Sequence, residues 1–382
     1  MSADDPRLRL ARAYLSRVAE PPAPALHRLV TELGAVAAAD QVHRGDVPPP
    51  VSRETEARRT AFLPREDLAA AEALNARLLI PEDPDWPSWQ FSSFAAAAAQ
   101  GAAEAVPPLA LWVRGEAPLA ELVERAVAIV GSRSATPYGE TIATELGIGL
   151  AELGVTVVSG AAMGIDGAAH RGAIIGNGPT VAVVACGLDI PYPAGHVGLL
   201  RRIVSHGGLI LSEYPPGVQP AKHRFLVRNR LIAALGGGTV VVEAGIRSGA
   251  TNTAAHTRTL GRPLMAVPGP VNSAMSVGCL ALLRSGHAVP VGTAAQVIEA
   301  SGRIGIDLSD TPEGPRRETD GLEPHALRVH EALPERSGLS AEEVAVESGL
   351  PLSRVRGLLP ALELAGLAQR GDEGWHRLRA NR

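Results

Sequence analysis

The stretch that decides the fold runs from residue 155 to residue 170 and reads Val-Thr-Val-Val-Ser-Gly-Ala-Ala-Met-Gly-Ile-Asp-Gly-Ala-Ala-His. A short β-branched run, Val155 to Val158, gives way to a loop of small residues and then to a helical stretch. Short apolar runs of this kind are typical of strands that are buried on both faces, as in parallel sheets covered by helices. The stretch therefore predicts one strand, loop and helix unit of an α/β protein.

The same rhythm repeats through the middle of the chain. Apolar runs occupy residues 109–113, 127–130, 155–158, 181–185, 209–211, 239–242, 264–267 and 288–291, and helical patterns fill 138–153 and 251–260. Alternating strands and helices predict a doubly wound, mostly parallel sheet over residues 78–302. Ligands of such sheets bind in the crevice at the carboxyl ends of the strands.

Two smaller regions flank the predicted sheet. Residues 1–77 form short helical patterns broken by prolines, with Leu8, Ala11, Tyr14, Leu15 and Val18 on one apolar face, which predicts a small helical domain. Residues 303–322 have a linker composition. In residues 323–382, a capping box at 340–343, a second helix near 353–365 and a hairpin at 369–378 follow the order of a winged helix. Six arginines against three acids in 351–382 suit DNA contact or protein contact equally.

Composition excludes several classes of protein. The 382 residues carry a formal charge of −4 and are 46% hydrophobic, and the apolar runs fall short of the roughly 18 residues that span a bilayer. The first residues, Met-Ser-Ala-Asp-Asp-Pro, lack the basic and apolar pattern of a secretory signal. Two cysteines, Cys186 and Cys279, build neither a disulfide framework nor a metal site. We expect a cytoplasmic protein with no metal and no membrane contact.

One basic cluster stands out from this acidic background. Residues 222–230 read Lys-His-Arg-Phe-Leu-Val-Arg-Asn-Arg and contain the single lysine of the chain, and no acidic residue lies between Tyr214 and Val242. Four positive charges surround Phe225, the combination of phosphate contact and stacking surface that suits single-stranded nucleic acid. The other interpretation is an amphipathic helix with solvated arginines and a phenylalanine in the core. This stretch alone leaves both open.

Three loops of small residues follow predicted strands, at 131–134, 159–166 and 243–253. Glycines let the backbone approach an oxyanion, and a following helix N-terminus favours negative charge. Arg133 adds a bidentate phosphate donor. Each loop alone is also explained as a tight turn, but three at one sheet edge favour an anion site. The candidate contacts from these loops are Gly131, Ser132, Arg133, Ser159, Gly160, Gly164, Ser248, Gly249 and Thr253.

Cofactor and catalytic patterns are weak in this sequence. Gly160, Gly164 and Gly167 do not form the dinucleotide fingerprint, and no phosphate-binding P-loop occurs. We assign Cys186 and His170 to packing, and Asp166 to capping of the helix that follows it. Glu243 ends a strand and could act as a general base, but no second carboxylate or nucleophile accompanies it. We therefore expect it to orient Arg133 or Arg228, and we expect no enzymatic activity and no cofactor.

Taken together, the motifs resemble those of the DprA (Smf) family of DNA-processing proteins, in order and spacing, from about residue 80 to residue 300. They are Gly131-Ser132-Arg133, residues 159–166 followed by His170, residues 212–216, residues 225–233, residues 242–244 with Ser248-Gly249, and Val267-Pro268-Gly269. The helical N-terminal region and the winged-helix tail match members of the family by architecture.

The resemblance implies a Rossmann-like, non-catalytic protein that acts as a homodimer. Such a protein binds and protects single-stranded DNA and helps to load the RecA recombinase in natural transformation and homologous recombination. By the family's motifs, Arg133 and Lys222 line the DNA pocket and Phe225 stacks on a base. Arg228, Asn229 and Arg230 complete the predicted DNA contacts, with a partly structural role in pairing to Glu243 or to loop backbone.

Some positions depart from the family pattern, and two other functions stay open. The departures are Leu235-Gly236-Gly237-Gly238, Gly278-Cys279-Leu280 and Asn252. The glycines at 236–238 followed by Glu243 loosely resemble nucleoside monophosphate phosphoribohydrolases of similar fold, although the glutamate of those enzymes opens a helix whereas residues 240–242 predict a strand. A protein-binding adaptor is the third hypothesis.

Overall fold

The computed structural model describes residues 5–245, 248–302 and 319–378. Described residues before and after the gap at 303–318 form two compact units, and most of the predicted linker at 303–322 lies outside the described residues. None of the described helices combines the length and the hydropathy that a bilayer crossing requires.

The first unit opens with short helices whose apolar faces meet in one core. They are α1 (Pro6–Val18), α2 (Pro24–Leu33), α3 (Ala35–Arg44), α4 (Pro49–Thr55) and α5 (Pro64–Glu72), with a 3-10 turn at Glu56–Arg58. Four of them carry proline in the first turn, where the missing N–H removes no helical hydrogen bond. The predicted apolar face of α1 is buried, and this core continues to Trp112 of the sheet. The helices therefore pack on one side of the sheet's antiparallel edge.

The described strands of the first unit form one sheet. They are β1 (Ala76–Leu79), β2 (Leu111–Arg114), β3 (Ala126–Val130), β4 (Thr156–Ser159), β5 (Thr180–Val184), β6 (Leu209–Ser212), β7 (Thr239–Val241), β8 (Leu264–Ala266) and β9 (Val289–Pro290). Their order is β1-β2-β6-β5-β4-β3-β7-β8-β9. The strands from β3 to β9 pair in parallel, whereas β1 and β2 pair antiparallel. The mostly parallel sheet is confirmed, and β1 is an addition that the sequence did not reveal.

Helices cover both faces of this sheet. They are α6 (Ser88–Ala99), α7 (Leu119–Leu122), α8 (Pro137–Glu152), α9 (Ile165–Ile175), α10 (Val197–Ser205), α11 (Lys222–Leu235), α12 (Gly249–Thr259), α13 (Val277–Arg284) and α14 (Ala294–Ser301). Alternate residues of β3 pack into two different hydrophobic cores. Ala128 and Val130 face α11, whereas Val127 and Ile129 face α8 and α9. Burial on both faces explains why the strands consist of unbroken apolar runs.

The strand order reverses at β3, and the position of this reversal determines where a ligand cleft opens. From β3 the chain adds β4, β5 and β6 on one side, and later β7, β8 and β9 on the other. Val130 lies in register with Val241, so the loops that leave β3 and β7 diverge from neighbouring strand ends. In doubly wound sheets a crevice opens at this switch point.

The second unit is a small helical core closed by a hairpin. Its elements are α15 (Pro324–Ala332), α16 (Ala341–Ser348), α17 (Leu352–Leu364), β10 (Ala368–Gly371) and β11 (Gly374–Arg377). The predicted capping box of Ser340 and Glu343 is present, and α16 ends at Gly349 in a left-handed conformation. The two helices and the hairpin predicted from sequence are confirmed. Arg354 and Arg356 of α17 pair with Glu323 and Glu342.

Candidate nucleic-acid interface

An open cleft of about 500 Å3 lies at the switch point between β3 and β7. The carboxyl end of β3, the start of α11 and the start of α12 form its walls. Ten predicted contact residues line it: Gly131, Ser132, Arg133, Lys222, Phe225, Arg228, Asn229, Ser248, Gly249 and Thr253. The topology therefore brings together residues that are more than 100 positions apart in the sequence.

Two of the predicted loops pack against each other at one wall of the cleft. The amide of Ile165 donates to the carbonyl of Ser132 at 3.2 Å. Gly164 has a φ of 77°, and a Cβ on it would lie 2.3 Å from the Ser132 oxygen. A Cβ on Gly131 would lie 2.5 Å from Cγ1 of Ile165. Glycine is required at both positions, because a Cβ on Gly164 would clash with the Ser132 backbone and a Cβ on Gly131 would clash with the Ile165 side chain. Gly164 thus shapes the site without lining it.

Arg133 and Lys222 supply the available positive charge. Both side chains are exposed, and neither forms an ion pair with a residue in the described part of the chain. Lys222 is the first residue of α11, whose first turn has no acidic residue, so the helix N-terminus adds to its attraction for an anion. The Arg133 guanidinium carbon lies 4.7 Å from the centre of the Phe225 ring. Cation and ring therefore share one surface of the cleft.

Arg228 is held by the protein backbone rather than presented to solvent. It is 4% exposed, and its Nη1 donates to the carbonyl of Gly160 at 2.7 Å and to that of Val183. Burial lowers the pKa of Arg228 to about 10, and the nearby Asp166 carboxylate opposes this effect. A Cβ on Gly160 would meet the guanidinium at 2.5 Å. Arg228 therefore fixes the loop after β4, in agreement with the expected pairing to loop backbone.

The remaining arginines of the basic cluster are neutralised by acids outside it. Arg230 is 3% exposed and donates to Glu213 at 2.5 Å and 2.7 Å, so it does not line the cleft. Arg224 donates through Nε to Glu20 at 2.7 Å. Two of the four positive charges predicted around Phe225 are therefore paired with acids, and Arg230, a predicted DNA contact, is not among the residues that line the cleft. The sequence of the cluster does not reveal these partners, because Glu20 is 204 residues from Arg224 and Glu213 is 17 residues from Arg230.

The two predicted carboxylate partners have different roles from those expected. Helix α9 begins at Ile165 without a side-chain cap, and Asp166 instead accepts from the Gly160 amide at 3.1 Å. Burial raises the pKa of Asp166, and Arg228 opposes the rise. Within the described residues, Glu243 pairs with neither Arg133 nor Arg228; it accepts hydrogen bonds from the amide and hydroxyl of Thr136 at 2.9 Å and 2.6 Å. Glu243 thereby secures the start of α8, which Thr136 caps.

Asn229 connects the two helices that flank the cleft. Its Nδ2 donates to the Gly249 carbonyl at 3.2 Å and to Oδ1 of Asn252 at 3.1 Å. Ser248 caps α12 by accepting from the amide of Thr251, and residues 246–247 lie outside the described residues. Asn252, a departure from the family pattern, thus has a partner within the site. The interaction fixes the N-terminus of α12 relative to α11.

Other candidates from the sequence lie in the core. The Ser159 hydroxyl donates to the Ile129 carbonyl at 2.6 Å, and Ser159 is fully buried. His170 contacts Thr180 at 2.7 Å, and burial lowers its pKa to about 3. Burial raises the pKa of the Cys186 thiol to about 11, which removes its nucleophilic form near neutrality. These side chains pack, as expected for His170 and Cys186; the hydroxyl of Ser159 has no access to the cleft.

The glycines at 236–238 lie at the amino end of β7, on the side of the sheet opposite the cleft. They follow α11 and precede β7, so they approach the amino end of that strand, whereas the cleft lies at the carboxyl ends. Gly237 donates to the Ala126 carbonyl at the start of β3. The resemblance to a phosphoribohydrolase signature therefore has no geometric counterpart in the cleft.

Comparisons with known proteins identify the family of this chain. The family model of DNA recombination-mediator protein A matches residues 77–302. The chain is 51% identical over 376 residues to a putative DNA processing protein DprA of Mycobacterium tuberculosis, covering 98% of this chain and 96% of that protein. It is 36% identical over 278 residues to protein Smf of Escherichia coli, covering 71% and 72% of the two chains.

A solved structure matches as well. The crystal structure of DNA processing protein A from Streptococcus pneumoniae aligns with a TM-score of 0.60 and 28% identity, covering 80% of this chain and all of that one. The family model covers the whole sheet except the first residue of β1 and includes every wall of the cleft. The chain belongs to the DNA recombination-mediator protein A family.

Proposed function

We propose that this chain binds single-stranded DNA in the switch-point cleft. The observation that carries the proposal is the pair of exposed, unpaired cations, Arg133 and Lys222, beside the half-buried ring of Phe225. The cations would hold consecutive backbone phosphates, and the ring would stack on a base, as single strands require. In a duplex the bases are paired and stacked inside, so they could not reach Phe225. The cleft therefore favours a single strand.

In the cell, the strand bound in this way would be protected and passed to RecA in natural transformation or homologous recombination. We propose that the protein acts by binding and without catalysis, as a homodimer, in the cytoplasm. Membership of a recombination-mediator family supports this role. We also propose the division into a helical domain at 1–77, a DNA-binding domain at 78–302 and a winged helix at 323–382. The helix order and hairpin of the second unit support the last assignment.

A gel shift with labelled single-stranded and double-stranded oligonucleotides tests the proposal. Wild-type protein should retard the single strand more strongly, and Arg133→Ala and Lys222→Ala should each weaken that shift. Arg201→Ala provides a control, because Arg201 is exposed on α10 and lines none of the three walls of the cleft. Single-strand binding that is equal in wild type and in both cleft variants would show that the site is elsewhere. Adenine release from AMP at enzymatic rates would instead favour the phosphoribohydrolase.

A further inference from the structure

A fourth loop, which no motif in the sequence predicted, reaches the cleft. This loop follows β5 and runs from residue 185 to residue 196. Its end is tied to the loop after β4 by a contact of 3.0 Å between His196 Nδ1 and the Ala161 carbonyl. Its start is tied to the loop after β6 by a hydrogen bond of 2.8 Å from the Gly187 amide to the Val218 carbonyl. The loop is therefore anchored at both ends beside the DNA site.

Tyr192 projects from this loop toward Phe225. The ring centres are 5.4 Å apart and the ring planes are inclined by 38°. Both rings, with Met163 and Arg133, line a hollow of about 50 Å3 that adjoins the main cleft. Tyr192 is 38% exposed and Met163 is 49% exposed. Two large apolar side chains thus face solvent directly beside the available cations.

The open surface of this pair belongs mainly to Tyr192. The rings are in direct contact at 5.4 Å, so no base fits between them. Arg133 already lies over the Phe225 ring at 4.7 Å. The Tyr192 hydroxyl makes no hydrogen bond to any residue in the described ranges, so a polar contact does not account for its position. Its exposed face is the larger free aromatic surface beside the site.

We propose that Tyr192 is a second base-stacking residue, which takes the base next to the one held at Phe225. The inference rests on the proposed binding of single-stranded DNA and deepens it. Every base has an apolar face, so stacking on Tyr192 contributes affinity without sequence preference. Because a neutral ring releases no counterions, this contribution does not change the salt dependence of binding. Lys222 and Arg133 remain the source of the salt dependence.

Fluorescence anisotropy with a labelled oligothymidylate tests this role at two salt concentrations. Tyr192→Ala should weaken binding about tenfold, in the range for one lost stacked base, with the salt dependence of wild type. Tyr192→Phe should restore the lost affinity, since the ring and not the hydroxyl is required. Trp89→Ala is the matched control. Trp89 is 77% exposed and lies at the start of α6. The next residue, Gln90, donates a hydrogen bond to the Val123 carbonyl just before β3. Trp89 is therefore near the amino end of β3, whereas the cleft is at its carboxyl end.

An oligonucleotide that contains abasic sites separates stacking from folding. If Tyr192 stacks on a base, wild type and Tyr192→Ala should bind a largely abasic strand with equal affinity. A Tyr192→Ala variant that binds oligothymidylate as tightly as wild type would overturn the inference, as would a deficit that persists on the abasic strand. If wild type binds no single strand at all, the proposed function itself fails.

Discussion

At the scale of single residues, the charge of the site is decided by acidic partners that lie outside the basic cluster. Counting along the chain finds four cations around Phe225, and the gap without acids suggests that all are available. The fold instead pairs Arg230 with Glu213, one position before that gap, and Arg224 with Glu20. Lys222 and Arg133 keep their charge for a ligand. Local sequence predicted the basic cluster, but tertiary contacts determine which of its cations remain available to a ligand.

The Arg230 and Glu213 pair should contribute to stability and not to DNA contact. Both side chains are buried, and burial alone already raises the pKa of Glu213 while Arg230 opposes the rise. Arg230→Ala would leave a carboxylate buried without its partner, so we expect the free energy of unfolding to fall by about 3 kcal/mol or more. Urea denaturation followed by circular dichroism measures this. The exposed Arg201→Ala should change it by less than about 0.5 kcal/mol; equal losses would contradict the assignment.

At the scale of secondary structure elements, burial explains both what the sequence revealed and what it concealed. Eight apolar runs predicted eight strands, because parallel strands covered on both faces leave an unbroken apolar signal. The apolar pattern did not predict strand β1, because Ala76–Leu79 is a short edge strand that contains an arginine. The antiparallel direction of β2 was equally hidden, because composition does not encode strand direction. Loop geometry at the site depends on contacts such as that of Gly164 with Ser132, which no local pattern specifies.

The contact between the loops after β3 and β4 makes Gly164 a sensitive position. Gly164→Ala combines a φ of 77° with a Cβ 2.3 Å from a carbonyl oxygen. We expect it to lower the free energy of unfolding by about 1 to 3 kcal/mol and to weaken single-stranded DNA binding by displacing Arg133. The control is Gly198→Ala in α10, where a Cβ meets nothing within 4 Å and where alanine favours the helix. Thermal unfolding and anisotropy on both variants provide the test, and unchanged binding in Gly164→Ala would refute it.

At the scale of the whole first unit, Glu20 joins the N-terminal helices to the proposed DNA site. It lies just after α1 and accepts from Arg58 of the 3-10 turn and from Arg224 and His223 in the first turn of α11. Lys222 directly precedes His223 in the sequence. The helical region therefore packs against the sheet and also anchors the helix that presents the cleft's lysine. Sequence patterns had placed no chemistry in this region.

This junction predicts a specific loss of stability in acid. Burial would raise the pKa of Glu20, but hydrogen bonds from Arg224, Arg58 and His223 outweigh it and lower the pKa to about 2. A carboxylate with a lowered pKa stabilises the fold above its unfolded value of 4.5, and the benefit disappears as pH falls from there toward 2. Glu20→Gln should therefore be less stable than wild type at pH 6, with a smaller difference at pH 3. Urea midpoints at the two pH values measure this, and a difference that grows in acid would contradict it.

We propose that Lys222 and Arg133 hold DNA phosphates in the switch-point cleft. The most direct measurement is the single-strand affinity as a function of salt concentration for wild type, Lys222→Ala, Arg133→Ala and the control Arg201→Ala. We predict that the logarithm of the association constant falls linearly with the logarithm of salt. Each cleft variant should bind more weakly, with a slope reduced by about 0.7 for each lost phosphate contact. Affinities and slopes equal to wild type in both cleft variants would contradict the account.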